Sequence, residues 1–455
     1  MHRAIELLAE ATKGTPYEGA LWLVGGAVRD PLLGRPVSAD LDLVTELSAV
    51  ALAELLFERG TSSIAPVTYP RFGTALVRIE DADVELVTAR AESYDPDSRK
   101  PEVRPATLEE DARRRDFTVN TLIRNVHTGD LRDPLGCGLE DLEAKVLRTP
   151  LPPDATFRDD PLRMLRAVRL RWQLGFEFAE GLEAAIRAER GRLSIISAER
   201  YRDELLRMLR FRDADQCLAD LMRLGLFDDL LPEFVAMVGV EQGGFHHLDV
   251  WDHSLLVVRN AGPGDLVLTL AALLHDVGKP STRSVDEEGA TRFFGHEIVG
   301  EKMTWQILNR LRVPHEVVES VARLVRGHMR LGSAPVFTPA AARRVLRDLG
   351  EDTERLLALV EADASALKPG VRAVDLGPIR RQLEEAEAAT PREVLVSPLT
   401  GAEIMEVRHL EPGPEVGVWK RLLTEQVLEG TLAPGDRDAA LQWLKAQSEP
   451  PKGVQ

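Results

Sequence analysis

The amino-acid sequence predicts an α+β chain in which a strand-rich N-terminal third is followed by a helical remainder. Three observations predict it. Apolar runs of strand length recur at residues 21–24, 41–44, 74–79, 84–87 and 118–123, with short helical patterns between them. From residue 149 onward apolar residues fall instead at helical spacing, over 161–174, 180–190, 198–211 and 213–231. No internal repeat interrupts this order.

Taken in order, the first informative stretch is residues 25–30, Gly-Gly-Ala-Val-Arg-Asp, which reads as a glycine turn and a short helix after the strand at 21–24. Ten residues on, Asp40 and Asp42 flank Leu41 in the next strand. Strand side chains alternate faces, so both carboxylates project from one side. With no basic neighbour in the sequence they would repel unless a divalent cation sits between them. Glycines let backbone amides approach a phosphate closely. A phosphate cradle beside a metal-binding carboxylate pair points to metal-assisted nucleotidyl transfer. Glu85, on a neighbouring strand, is a candidate third carboxylate. Residues 95–105 carry three prolines and six charged residues and read as a loop. Boundaries are expected at 1–148, 149–240, 241–370 and 371–455. The last part is helical, broken near residues 410–414, and ends in a polar tail.

At 455 residues, 44% hydrophobic and 29% charged, the composition is that of a globular protein of several domains. No run approaches the roughly eighteen apolar residues of a membrane span. Residues 1–6 lack the apolar core of a secretion signal, so the cytoplasm, with no membrane partner, is the expected location. Cys137 and Cys217 are too few and too far apart for a disulfide framework or a cysteine zinc site. A net charge of −17 argues against indiscriminate nucleic-acid binding. Between residues 158 and 212, however, 13 arginines stand against 9 acids.

Three charged clusters lie downstream of the aspartate pair: EDARRRDFTVN at 110–120, DDPLRMLRAVR at 159–169 and ERYRDELLRML at 199–209. With GGAVRD, the Asp-Leu-Asp triplet and DPLG at 133–136, their order resembles the class II nucleotidyltransferase family of tRNA CCA-adding enzymes and bacterial poly(A) polymerases. The resemblance implies a head with a small mixed sheet and an all-helical neck. It implies that Asp40 and Asp42 are the catalytic carboxylates holding Mg²⁺, and that Gly25, Gly26 and Arg29 hold the triphosphate. Arg115 and Asp116 would contact the ribose, and Asp160 and Arg163, read as neighbours on one helical face, would select the base. Arg166 and Arg169 extend that face, as a solvated stripe or as nucleotide or RNA contacts. Asp133 to Gly136 reads as a turn, which the family makes a hinge. Two positions depart from the family pattern: Asp159-Asp160 replaces Glu-Asp, and Asn120-Thr121 replaces Asn-Ala. Residues 88–109 resemble the compact loop of CC-adding members. The substrates implied are tRNA and CTP, with ATP as the further candidate if full CCA is added.

A second signal lies in the histidines. His253, the His275-Asp276 doublet in LLHDVGK, and Asp363 follow the order of the HD phosphohydrolase superfamily, and His296 and His328 add two more imidazoles. Six such donors suit a two-metal centre holding Mn²⁺, Ni²⁺ or another transition metal. His246, His247 and Asp249 are candidates for supporting or substrate contacts. Lys279 would touch a phosphate or cap a helix. By analogy with HD-bearing CCA-adding enzymes, the resemblance implies phosphatase or phosphodiesterase action on 2′-phosphate or 2′,3′-cyclic ends. The alternatives are a chain that is mainly such a hydrolase, or a poly(A) polymerase.

Overall fold

The computed structural model describes residues 3–37, 40–93, 102–331, 337–368, 370 and 375–447. It divides into two compact units, Met1–Arg207 with Ala219–Leu230, and Met208–Leu218 with Leu231–Gln455.

The first unit is built on a mixed sheet. In chain order its strands are β1 (Trp22–Val24), β2 (Asp40–Thr45), β3 (Val67–Tyr69), β4 (Thr74–Ile79), β5 (Ala82–Thr88), β6 (Arg90–Ser93), β7 (Glu102–Pro105), β8 (Ile123–Asn125) and β9 (Leu131–Arg132). Seven form one sheet in the order β3-β4-β5-β2-β1-β8-β9, parallel between β2 and β5 and antiparallel elsewhere. Period-two alternation gives this sheet two unlike faces. Leu41, Leu43, Val84, Leu86, Ala75 and Val77 are buried, and the helix Ala49–Glu58 packs there through Leu52 and Leu56. Asp40, Asp42, Asp83, Glu85 and Leu76 lie on the other face and are exposed.

Two readings of this region are corrected. Residues 102–105, expected in a loop, form β7 and pair antiparallel with β6. Pro105 sits at the very end of that two-stranded ribbon, where its missing N–H costs no central ladder bond. Residues 118–123 do not form one strand. Thr118–Asn120 is a single 3-10 turn, closed by the Thr121 hydroxyl on the Thr118 carbonyl (2.7 Å), and the strand begins only at Ile123.

After the sheet come the helices Gly138–Ala144, Pro153–Asp159, Leu162–Leu174, Leu182–Glu189 and Ala198–Met208. Strand structure does not cease here, because Val146–Leu147 pairs in parallel with Glu177–Phe178. The expected helix over 213–231 stops at Arg223, before Gly225 in the left-handed conformation (φ 73°).

Among the described residues the second unit is helical apart from a short hairpin, Ser284–Val285 with Thr291–Arg292, and an isolated bridge between Glu241 and Asp249. Its centre is the helix Leu266–Leu274, apolar on every side, with residues 268–274 all buried. Around it pack Val250–Ala261, His315–Gly327 and Thr353–Ala364. Four further helices, Leu376–Ala389, Gly401–Arg408, Pro414–Glu429 and Arg437–Ala446, complete the same unit, with Trp419, Leu422 and Leu423 buried among its apolar residues. The expected polar tail, residues 448–455, lies outside the described residues. Among the described residues no helix is long and apolar enough to cross a membrane. Neither Cys137 nor Cys217 forms a disulfide.

Candidate functional sites

The exposed face of the sheet carries the first site. The parallel register sets Asp42 opposite Glu85 and Asp40 opposite Asp83, so the pair read from the sequence is part of a wider carboxylate row. Asp83 is committed to Arg78, whereas Glu85 stands beside Asp42. Enclosure by protein pushes the Asp42 carboxyl up; Arg115 and Arg166 pull it down, and Asp40 and Asp116 push it up again, leaving the net shift upward. Glu85 is raised by burial and by the Asp42 charge. A cluster that resists ionising together is one that a divalent cation relieves, and all-oxygen donors suit a hard ion. Divalent-metal binding therefore fits these residues.

Gly25 closes over this row. Its backbone has φ 69° and ψ −136°, open only to glycine, and a Cβ there would lie 3.4 Å from Asp42 Oδ2. The turn is thus brought against the carboxylate by the pairing of Val24 with Asp42. Gly26 then opens the helix Gly26–Leu32.

The basic residues divide into two groups. Arg115 and Arg166 are the cations facing Asp42. Arg29, Arg163 and Arg169 are buried and engaged internally. Arg29 places Nε 2.8 Å from Asp30 and Nη1 2.5 Å from the Asn120 Oδ1. Asn120 passes the connection on, donating to Asp116 Oδ1 at 2.9 Å. Asp116 Oδ2 accepts two bonds from Arg166, at 2.9 and 2.6 Å, and these charges hold its carboxyl well below the usual range against the cost of burial. Arg169 in turn donates to Glu204 at 2.5 Å. Arg115 is anchored by two bonds to Asp111 Oδ2, at 3.2 and 2.9 Å. The motifs GGAVRD, RRRDFTVN, DPLRMLRAVR and ERYRDE are therefore one hydrogen-bonded frame.

Asp160 and Arg163 do not share a helix face, contrary to the spacing argument. Pro161 disfavours helical backbone at the residue before it, so Asp160 is extended (φ −140°, ψ 100°) and ends one helix while Arg163 lies in the next. Asp160 Oδ2 accepts from Arg200 at 2.9 Å. Arg163 reaches the other way, donating to the Thr156 carbonyl at 3.2 Å and the Arg114 carbonyl at 2.5 Å. At 133–136 the expected turn is present, with Gly136 N–H donating to the Asp133 carbonyl at 3.2 Å. Asn120 and Glu204 were not singled out as site residues, although both lie inside the motifs that were. Of residues 88–109, positions 94–101 lie outside the described residues.

The second site is wholly within the second unit. His253 and Asp363 come from the helices Val250–Ala261 and Thr353–Ala364. His275 and Asp276 follow the end of the central helix, His296 opens the helix His296–Arg310, and His328 opens a 3-10 turn. Gly278 makes this convergence possible, since a Cβ there would lie 2.3 Å from the His296 carbonyl oxygen. Four imidazole Nε2 atoms gather on Asp276, at 3.1 Å (His275), 3.4 Å (His296), 3.8 Å (His253) and 3.9 Å (His328). The Nδ1 atoms of His275, His296 and His328 lie 2.8, 2.8 and 2.7 Å from backbone carbonyls. A carbonyl accepts only from a protonated nitrogen, so the bare Nε2 lone pairs point inward. His296 and His328 Nε2 then face each other at 3.2 Å, and His275 Nε2 and Asp276 Oδ1 are buried without a hydrogen-bond partner. Lone pairs so arranged repel unless cations join them. The donors form two groups, His253 with His275 and Asp363, and Asp276 with His296 and His328, each with its ligand atoms within 4.8 Å of one another. Divalent metal fits here too.

Lys279 holds Asp276 Oδ2 at 2.6 Å and Gln242 Oε1 at 2.6 Å, so it steadies the ligand and does not cap a helix. His246 packs edge-on against His253, ring centroids 4.8 Å apart, and burial drags its imidazole down to about 4, leaving it neutral. Asp249 caps the helix Val250–Ala261 by accepting from Asp252 N–H at 2.7 Å, and His247 is exposed.

Comparison with known proteins finds family matches over the regions that hold both sites. The Poly A polymerase head domain family matches residues 21–148, the "Probable RNA and SrmB- binding site of polymerase A" family matches 175–237, and the HD domain family matches 244–368. The chain is 38% identical to the A-adding tRNA nucleotidyltransferase of Deinococcus radiodurans, over 90% of this chain and 92% of that one. It is 36% identical to the CC-adding tRNA nucleotidyltransferase of Thermus thermophilus, over 92% of each. Its fold matches the crystal structure of the Bacillus stearothermophilus CCA-adding enzyme in complex with CTP, with a TM-score of 0.67 at 24% identity over 98% of this chain and 97% of that one. The chain belongs to the class II tRNA nucleotidyltransferases, the family of the CCA-, CC- and A-adding enzymes, and to its branch that carries an HD domain.

Proposed function

We propose that the chain adds C residues to tRNA 3′ ends without a nucleic-acid template, as CC or as full CCA, and that its HD domain hydrolyses phosphoesters. The observation that carries the first activity is the Asp42–Glu85 register beneath Gly25. Asp40 and Asp42, with Glu85 beside them, hold Mg²⁺, which when bound polarises the triphosphate and the primer 3′-hydroxyl. The 3′-oxygen forms a bond to the α-phosphorus as the bond to pyrophosphate breaks. Gly25 and Gly26 admit the triphosphate close to the backbone, and Arg115 and Arg166 balance its charge. Arg29, Asn120, Asp116, Arg169 and Glu204 keep that arrangement rigid. Asp160 and Arg163 face the incoming base after exchanging their present partners. The carboxylate and the guanidinium then supply an acceptor and donors to its edge.

In the second domain, two groups of three donors hold Mn²⁺, Ni²⁺ or a similar ion, whose chemistry is to activate water. The intended parts are the head (1–148), the neck (149–240), the HD domain (241–370) and a C-terminal helical region (371–455). The protein acts in the cytoplasm.

Identity to relatives does not choose between C and A, because the A-adding and CC-adding enzymes match almost equally. The deciding experiment supplies labelled CTP or ATP with tRNAs ending before CCA, after C and after CC. Incorporation of CTP on the first two supports C addition, and ATP incorporation only on the third would replace it with A addition. In the same assay Arg163→Ala is expected to lower CTP preference over ATP about tenfold. Unchanged preference would remove Arg163 from base selection.

A further inference from the structure

The HD ligands open onto a cleft of about 1520 Å³ whose walls include Phe245, Phe294, Met329, Lys279 and Lys368. Among the described residues, Phe294 (81% exposed) and Phe245 (67%) are the two most exposed large hydrophobic side chains of the chain, and both line this cleft. Phe294 precedes Gly295 and the ligand His296, so its backbone is fixed two residues from the metal centre. Phe245 is held on the other wall, its carbonyl accepting from the Lys368 N–H at 3.1 Å. Wet phenyl rings beside a phosphate-handling centre bury no core and coordinate nothing. They offer flat apolar faces to the same cleft that Asp276, His296, His328 and Asp363 line.

Resting on the hydrolase reading above, we propose that Phe294, with Phe245, forms a nucleobase-stacking subsite, so that the HD domain takes a nucleoside phosphate by its base as well as by its phosphate. The metal centre receives the phosphoryl group and the rings receive the base. A ring face binds any base, purines more strongly, so this subsite discriminates little among the four bases. The base takes no part in the bond changes. A water oxygen forms a bond to phosphorus, one ester P–O bond breaks, and the released sugar oxygen takes the proton.

The test compares adenosine 2′,3′-cyclic phosphate with methyl riboside 2′,3′-cyclic phosphate, which lacks the base, on the full chain. Phe294→Ala is expected to raise KM for the adenosine probe about tenfold with kcat unchanged, and to leave the base-free probe unaffected; Phe294→Trp restores the wild-type KM. Equal losses on both probes, or no loss on either, would overturn the subsite. If the wild-type protein hydrolyses neither probe with any divalent metal, the hydrolase reading fails. Equilibrium binding of adenosine 2′-monophosphate then decides the subsite, which requires about tenfold weaker binding by Phe294→Ala and is refuted by equal binding.

Discussion

The two metal-binding regions solve one electrostatic problem in opposite ways. In the first unit the carboxylates stand exposed on an open sheet face, with arginines near them and glycine backbone above. In the second, the four imidazoles and Asp276 are buried, backbone carbonyls set three of the tautomers, and His253 Nδ1, His275 Nε2 and Asp276 Oδ1 lack a hydrogen-bond partner. The open site suits a hard ion that arrives with a triphosphate and leaves with pyrophosphate. The closed site suits a resident ion that the protein binds for itself. Exposure and donor type, more than the number of ligands, separate the two.

The sharpest way to break this comparison is Asp42→Ala. CTP incorporation should fall on the order of a thousandfold while hydrolysis of a cyclic phosphate stays within about twofold, because the carboxylates and the histidines belong to separate centres. Loss of both activities would mean that the sites are not independent. Next in size is His275→Ala, which should lower hydrolysis by about a hundredfold and reduce the metal retained after dialysis against a chelator, as counted by mass spectrometry, with nucleotide incorporation unchanged. Full metal retention would show His275 to be structural. The smallest effect concerns the frame behind the open site. Asn120→Ala removes the link between Arg29 and Asp116 and should cost about 1–3 kcal/mol in denaturant unfolding of the first unit. Unchanged stability would make that connection incidental.

The carboxylate pair was legible because its residues are local in the chain, and the histidine–aspartate set because its order from His253 to Asp363 resembles that of the HD superfamily. Asp-Leu-Asp places two carboxylates on one face wherever the strand lies, and His275-Asp276 with Gly278 marks its own centre. Pairings across long sequence separations were not legible. Glu85, a candidate third carboxylate in the sequence, was set against Asp42 only by the β2–β5 register, and Asn120 stood out only once its side chain was seen between Arg29 and Asp116. The placing of Asp160 and Arg163 on one helical face failed for a local reason, since three-residue spacing was applied across a proline that interrupts the helix.

By itself the sequence determined the fold class from periodicity and the Asp40/Asp42 pair from donor chemistry within a short window, while the order of the parts and the histidine–aspartate set came from a motif order that resembles known families. Tertiary structure alone decided which arginines face the carboxylates and which are locked inside, that Glu85 joins the row, and that two phenyl rings stand open beside the buried metal ligands. Charge and exposure depend on what the chain brings from elsewhere, and a linear pattern does not contain those distances.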